Sequence, residues 1–121
     1  CVVGPMIETP YAFEKFINCG KKINDLDLYF LCETKTAYNN IDAILSHDGA
    51  SNLSGIIVGR SDFTKSYGLD KSEVESPSVL EKVEHLFIKA KEKNLQTTMG
   101  GNISNKTCTF IKSMFNKEHG C

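Results

Sequence analysis

The chain has 121 residues, with 14 Lys and Arg against 15 Asp and Glu, 40% apolar residues, five Cys and no Trp. These values are typical of one folded domain and exclude a disordered tail, a collagen repeat and a coiled coil. The formal net charge of −1 predicts neither a nucleic acid nor an acidic membrane partner. Apolar runs stay far below the roughly 20 residues of a membrane span, and no basic, apolar leader opens the chain, so we expect a cytoplasmic protein.

The cysteines carry no pattern of a structural site. Their number is odd and none is spaced as C-x-x-C, which argues against a disulfide framework and a zinc site. Most of the five are therefore expected to be small buried residues.

Four β-rich runs are predicted in chain order, at residues 2–7, 28–32, 55–59 and 95–99. A helical pattern follows each run. Thr9 and Pro10 predict the start of the first helix, and an apolar stripe from Tyr38 to Leu45 predicts the second. Ser78 with Glu81 has the spacing of a capping box, which predicts that the third helix starts near 76–78. The last helix is predicted to start near Ser104.

This alternation predicts a parallel sheet with crossover helices. The apolar runs at 28–32 and 55–59 predict strands covered on both faces. Two architectures fit: a small doubly wound sheet, or a sector of a (β/α)₈ barrel, which needs about 250 residues. Because the chain opens inside a strand-like run, we expect residues 1–121 to form a single domain that is part of a larger barrel.

Acidic residues follow three of the predicted strands, as Glu8, Glu33 and Asp62. The carboxyl ends of parallel strands collect functional groups, and converging carboxylates repel unless a cation lies between them. Oxygen ligands without a His or Cys cluster favour Mg²⁺ or Mn²⁺. The alternative is that Glu33 and Asp62 cap or pair locally, as carboxylates near helix N-termini commonly do.

Three segments together resemble the metal-dependent pyruvate-type (class II) aldolase and citrate lyase β-subunit family. They are Cys32-Glu33-Thr34-Lys35-Thr36-Ala37, Asn40-Ile41-Asp42-Ala43-Ile44-Leu45, and the stretch from Gly55-Ile56-Ile57-Val58-Gly59-Arg60-Ser61-Asp62-Phe63-Thr64 to Tyr67-Gly68-Leu69. The resemblance implies that the four strands are the fourth to seventh of a (β/α)₈ barrel. It also implies a carbon–carbon lyase that uses a metal-stabilised enolate next to a 2-oxo acid, with an aldehyde or acyl partner.

The same resemblance implies roles for individual residues. Glu33 and Asp62 would be the metal ligands, for Mg²⁺ or Mn²⁺, and the backbone N–H groups of Ser61 and Asp62 would hold the substrate carboxylate. A general base would precede Cys1, so these residues alone are expected to be inactive, and the complete enzyme is expected to be a homo-oligomer. His47, His85 and His119 are interpreted as solvated surface residues.

Three further residues at the strand ends are open to two interpretations. Arg60 stands where the family usually has Pro; it is either a catalytic anion clamp or the ion-pair partner of Glu33 or Glu8. Glu8 is either a substrate-binding or water-mediated metal contact, or the cap of the next helix. Gly100, with Gly101, either admits substrate close to the backbone or forms a tight turn.

Two other functions stay open on the sequence. A non-catalytic α/β module would bind a ligand or partner at the strand ends, and its sheet edges would be covered. A lyase relative that cleaves acyl-CoA would need a basic groove, which the sequence does not reveal.

Overall fold

The computed structural model describes residues 1–119, apart from the side chains of 115 and 117–119. Its centre is one sheet of four parallel strands in the sequential order β1-β2-β3-β4. The strands are β1 (Val2–Gly4), β2 (Leu28–Cys32), β3 (Gly55–Gly59) and β4 (Gln96–Gly100). The predicted α/β class with a parallel sheet is confirmed.

Helices follow every strand. They are α1 (Pro10–Gly20), α2 (Lys35–Asn39), α3 (Ile41–Leu45), α4 (Arg60–Ser66), α5 (Pro77–Glu92) and α6 (Asn105–His119), with 3₁₀ turns at Asp48–Asn52 and Lys71–Glu75. None of the described helices is long and apolar enough to cross a membrane.

The first strand is shorter than the predicted run at 2–7. It ends at Gly4, because Pro5 has no N–H for the ladder and Met6 takes a left-handed conformation with φ 53°. The chain then turns, and Ile7 packs into the core with 5% of its surface exposed. Thr9 caps α1 as predicted, because its hydroxyl accepts a hydrogen bond from the Ala12 N–H.

Two helix predictions need correction. The stripe from Tyr38 to Leu45 forms two short helices separated at Asn40, whose φ and ψ of −98° and 7° are not helical. Helix α5, which corresponds to the third predicted helix, starts within the predicted 76–78. Its cap is Ser76, whose hydroxyl accepts a hydrogen bond from the Val79 N–H. The capping box predicted from Ser78 and Glu81 is therefore wrong.

Only one face of the sheet is covered by helices. Along β2 the residues alternate between buried and half-buried, which is the mark of a strand with one covered side. We call the covered side the helix face; Leu28, Phe30, Cys32, Ile56 and Val58 belong to it and are all buried. The opposite side, which we call the open face, carries Val3, Tyr29, Leu31, Ile57, Gln96 and Thr98, none of them buried. The prediction of strands covered on both faces is wrong.

The core lies between the helix face and the helices. The Phe13 ring of α1 meets Phe30 edge to face with 6.5 Å between centroids, and α5 packs against β3 and β4. Four residues of α5 recur at helical spacing and are buried in this core: Val79, Val83, Leu86 and Ala90.

Cysteine and histidine environments differ from expectation. Cys32 is buried, but Cys1, Cys19 and Cys108 are exposed, and Cys121 lies outside the described residues. Because three of the four described cysteines are exposed, the prediction that most are buried is wrong.

The two histidines with described side chains are only partly exposed. The His47 ring lies 5.8 Å from that of Phe13, and the His85 ring lies 5.6 Å from that of Tyr38, so both rings pack against aromatic neighbours. The expectation of solvated histidines is wrong for these two, and the His119 side chain lies outside the described part.

Candidate functional site

The carboxyl ends of the four strands form the edge of the sheet that we call the mouth. On the open face, the residues nearest to this edge are Glu33, Gly59 and Gly100. Gly59 pairs with Gly100 in the ladder, and Glu33 follows β2 directly. A Cβ added to Gly59 would lie 3.1 Å from the Glu33 Cβ, and one added to Gly100 would meet nothing within 4 Å. Gly59 therefore allows the Glu33 side chain to pack close to β3, and the open space at this edge lies at Gly100.

Glu33 is buried, with 9% of its surface exposed. Its Oε1 accepts a hydrogen bond from the Met6 N–H at 3.0 Å, and Oε2 would lie 3.5 Å from a Cβ built on Gly59. Among the side chains that the structure describes, no Lys or Arg makes an ion pair with this carboxylate. Burial of a carboxylate with one backbone donor and no cationic partner costs free energy.

Glu8 is half-buried beside Glu33 at the end of the first β/α connection. Its carboxylate accepts from the Thr34 hydroxyl at 2.6 Å, and its backbone carbonyl accepts from the Asn40 amide at 2.8 Å. Because Thr9 caps α1, the interpretation of Glu8 as that cap is wrong. Through these hydrogen bonds Glu8 instead connects the segment after β1 to the start of α2.

Asp62 lies in the first turn of α4, directly after β3. Its side chain is 66% exposed and lies 3.8 Å from the Lys65 Nζ, an exposed contact that contributes little to stability. Ser61, one residue earlier, is half-buried and faces the turn after β4. Both residues stand at the mouth, where the sequence predicted them, and Asp62 is the more solvated of the two predicted metal ligands.

Arg60 is fully buried at the first position of α4. Its Nε donates to the Gly100 carbonyl at 3.2 Å, and its Nη2 donates to the carbonyls of Gly101 and Asn102 and to the Thr107 hydroxyl. Burial lowers the pKa of this guanidinium, and the nearby Glu75 carboxylate opposes that shift.

The predicted ion pair of Arg60 with Glu33 or Glu8 is wrong, since no such contact exists among the described residues. The Nη1 atom is buried and has no hydrogen-bond partner there. The role of Arg60 as a catalytic anion clamp stays a prediction.

Glu75, Ser104 and Thr107 extend the contacts of Arg60 into a network that the sequence did not predict. The Ser104 hydroxyl donates to both Glu75 oxygens at 2.7 and 2.8 Å, and the Thr107 hydroxyl donates to Oε1. These hydrogen bonds lower the pKa of Glu75. The sequence indicated only that Ser104 lies at the start of a helix. The other contacts of the network join residues about 30 positions apart, so no local pattern predicted them.

Gly101 forms the tight turn after β4. Its φ is +86°, and an added Cβ would lie 2.7 Å from the Ser61 Oγ and 2.8 Å from the Ser61 nitrogen. A side chain at this position would therefore clash with the backbone of α4. At Gly100 the surrounding space is open, so the tight-turn interpretation applies to Gly101 rather than to Gly100.

The described residues contain no cluster of three or more His, Cys, Asp or Glu side chains that could hold a metal ion. Mg²⁺ is commonly bound by one or two carboxylates with several waters, so a site on Glu33 and Asp62 needs no larger cluster. No protein-family model matches the chain, and no curated protein matches it.

Proposed function

We propose that this chain supplies the metal-binding part of a carbon–carbon lyase that acts next to a 2-oxo acid. The observation that carries the proposal is the buried carboxylate of Glu33, which has no cationic partner among the described side chains and packs against Gly59, at the same edge of the sheet as the open space at Gly100. The resemblance in the segments around Glu33 and Asp62 points to the same chemistry.

The sheet geometry supports a sector of a (β/α)₈ barrel, with β1 to β4 as its fourth to seventh strands. In a doubly wound sheet the strand order reverses and helices cover both faces. Here the order is sequential and helices cover one face, which is the arrangement that closes into a barrel. The open face would then line the barrel interior, with Glu33 in its uppermost layer.

Each site residue then has a chemical task. Glu33 and Asp62 would hold Mg²⁺ or Mn²⁺, and the bound ion would polarise the keto oxygen of the 2-oxo acid. The Met6 N–H holds one Glu33 oxygen in place, which leaves the other oxygen directed toward Gly59. The backbone N–H groups of Ser61 and Asp62 would bind the substrate carboxylate.

The alternative of a complete binding module fits the structure less well. That alternative predicts covered sheet edges, whereas β1 and β4 each pair with a single strand among the described residues. The open face also leaves half-buried apolar side chains such as Leu31 and Ile57 without a covering layer.

Metal binding by Glu33 tests the proposal directly. Mn²⁺ is titrated into the full chain and free Mn²⁺ is followed by electron paramagnetic resonance, for the wild type, Glu33→Gln and the control Glu92→Gln. Glu92 is an exposed acid at the end of α5, remote from the mouth. We expect Glu33→Gln to weaken Mn²⁺ binding about tenfold or more and the control to leave it unchanged.

Because these residues alone are expected to be inactive, binding of pyruvate and oxaloacetate to the Mn²⁺-loaded chain is measured in parallel instead of turnover. The proposal fails if Glu33→Gln binds Mn²⁺ as well as the wild type does, or if neither 2-oxo acid binds to the metal-loaded wild type.

A further inference from the structure

The contacts of Arg60 concentrate on one short segment of backbone. Its guanidinium reaches three consecutive carbonyls, those of Gly100, Gly101 and Asn102, which form the turn between β4 and α6. Arg60 itself begins α4, so a single buried side chain joins the end of β3 to the end of β4.

This turn lies against the start of α4. The Gly101 backbone approaches Ser61 so closely that a Cβ on Gly101 would be 2.8 Å from the Ser61 nitrogen. The position of the turn thus decides how much space is left in front of the Ser61 backbone, where the proposed function places the substrate carboxylate.

A second layer of hydrogen bonds fixes the guanidinium. The Thr107 hydroxyl accepts from Arg60 Nη2 and donates to Glu75, and Glu75 also accepts from the Ser104 hydroxyl. The planar guanidinium has donors at several fixed positions, and the single ammonium of a Lys cannot reach the same set of carbonyls.

We infer that Arg60 is a positioning residue: its buried guanidinium holds the Gly100–Asn102 turn against the start of α4 and thereby shapes the carboxylate-binding side of the mouth. Arg60 acts through this turn and need not contact substrate. The effect of Arg60 on substrate binding rests on the proposed function. The restraint that Arg60 places on the turn does not.

Hydrogen exchange measures the hold on the turn without any ligand. Exchange of peptides covering residues 98–107 is followed by mass spectrometry in the wild type, Arg60→Met and Arg60→Lys. We expect these amides to exchange about tenfold faster in Arg60→Met, with little rescue by Arg60→Lys, while peptides from α1 are unchanged. Unchanged exchange at 98–107 in a folded Arg60→Met protein overturns the inference.

A matched pair on α6 covers the case in which Arg60→Met does not fold. Thr107→Val removes the hydroxyl between Arg60 and Glu75, whereas Thr109→Val removes an exposed hydroxyl that bonds only the Asn105 carbonyl of its own helix. The Thr107 Oγ1 also accepts from the Ser104 N–H, so the amides followed are those of residues 98–102. Thr107→Val is expected to speed their exchange, and Thr109→Val is not. Equal behaviour of the two variants contradicts the inference.

Ligand binding separates this inference from the proposed function. Pyruvate is titrated into the full chain loaded with Mn²⁺. We expect Thr107→Val to weaken pyruvate binding severalfold at unchanged Mn²⁺ affinity, since it displaces the turn and leaves Glu33 in place. A wild type that binds no Mn²⁺ refutes the proposed function alone, and faster exchange with unchanged pyruvate affinity refutes the effect on the mouth alone.

Discussion

Two adjacent isoleucines on β3 lie in opposite environments. Ile56 points to the helix face and is fully buried, whereas Ile57 points to the open face and is only half-buried. The same contrast separates Phe30 from Leu31 on β2. On β2 and β3 both faces carry large apolar side chains but differ in what covers them, so these side chains alone do not identify the side on which the helices pack.

The largest contrast between the faces is expected in thiol chemistry on β2. Burial, with a smaller effect of the Glu33 charge, raises the pKa of Cys32 to about 12. A Leu31→Cys, Cys32→Ala protein carries its thiol on the open face instead. Since the thiolate is the reactive form and Cys32 is fully buried, we expect iodoacetamide to label position 31 at least about a hundredfold faster than native Cys32 at pH 8. Mass spectrometry of the peptide measures both rates, and equal rates would contradict the assignment of faces.

The raised pKa of Cys32 also predicts a pH dependence of stability. Between the ordinary pKa of 9.0 and about 12, the folded protein keeps this proton and the unfolded chain loses it. The free energy of unfolding therefore falls as pH rises through that window. Urea midpoints from pH 8 to 11 should fall more steeply for the wild type than for Cys32→Ala, and parallel curves would exclude the effect.

Truncation of the two isoleucines compares the faces by packing. Ile56→Ala leaves a cavity under the helices and is expected to lower the free energy of unfolding by about 2–5 kcal/mol. Ile57→Ala removes half-buried surface without a cavity and is expected to cost about 1 kcal/mol. Urea denaturation of both variants measures the difference, and equal losses would mean that the open face is covered too.

A charge on the open face tests whether that face and the unpaired edges drive association. Among the described residues β1 and β4 each pair with one strand and leave the other edge unpaired. We therefore expect the chain in isolation to self-associate. Ile57→Lys should shift it toward monomer, whereas Ile111→Lys, on the exposed side of α6, should not. Light scattering after size-exclusion chromatography measures the mass of the species in solution. A monomeric wild type with a sharp, reversible melt contradicts this prediction.

The smallest effect is expected for a polar contact on the open face. The Tyr29 hydroxyl donates to the Gln96 side chain at 2.7 Å in an exposed position. Because water replaces an exposed hydrogen bond, Tyr29→Phe should change the free energy of unfolding by less than about 1 kcal/mol. A larger loss in urea denaturation would show that this part of the face is shielded from solvent.

Much of the fold could be predicted because its signals are local. The apolar run at 28–32 marks β2 through strand propensity, and the start of α5 lies within the predicted 76–78, although its cap is Ser76 and not Ser78. The early end of β1 could not be predicted from its apolar residues, since the left-handed conformation of Met6 depends on where the chain must turn.

The candidate site divides in the same way. Glu33 and Asp62 were predicted because Glu33 directly follows one strand and Asp62 lies three residues after another, and strand ends meet at one edge of a parallel sheet. The setting of Arg60 was not predicted, because its partners at 100–102 and 107 come from another strand and helix. No local pattern indicates which buried carbonyls a guanidinium will reach.

The sequence by itself determined the alternation of strands and helices, the parallel sheet and the residues that stand at its carboxyl edge, because periodicity and capping act over a few neighbouring residues. Only the tertiary structure decided that helices cover a single face, that Glu33 is buried without a cationic partner among the described residues, and that Arg60 binds the turn after β4. Those properties depend on residues far apart in the chain, whose burial and pairing are fixed only when the whole sheet is assembled.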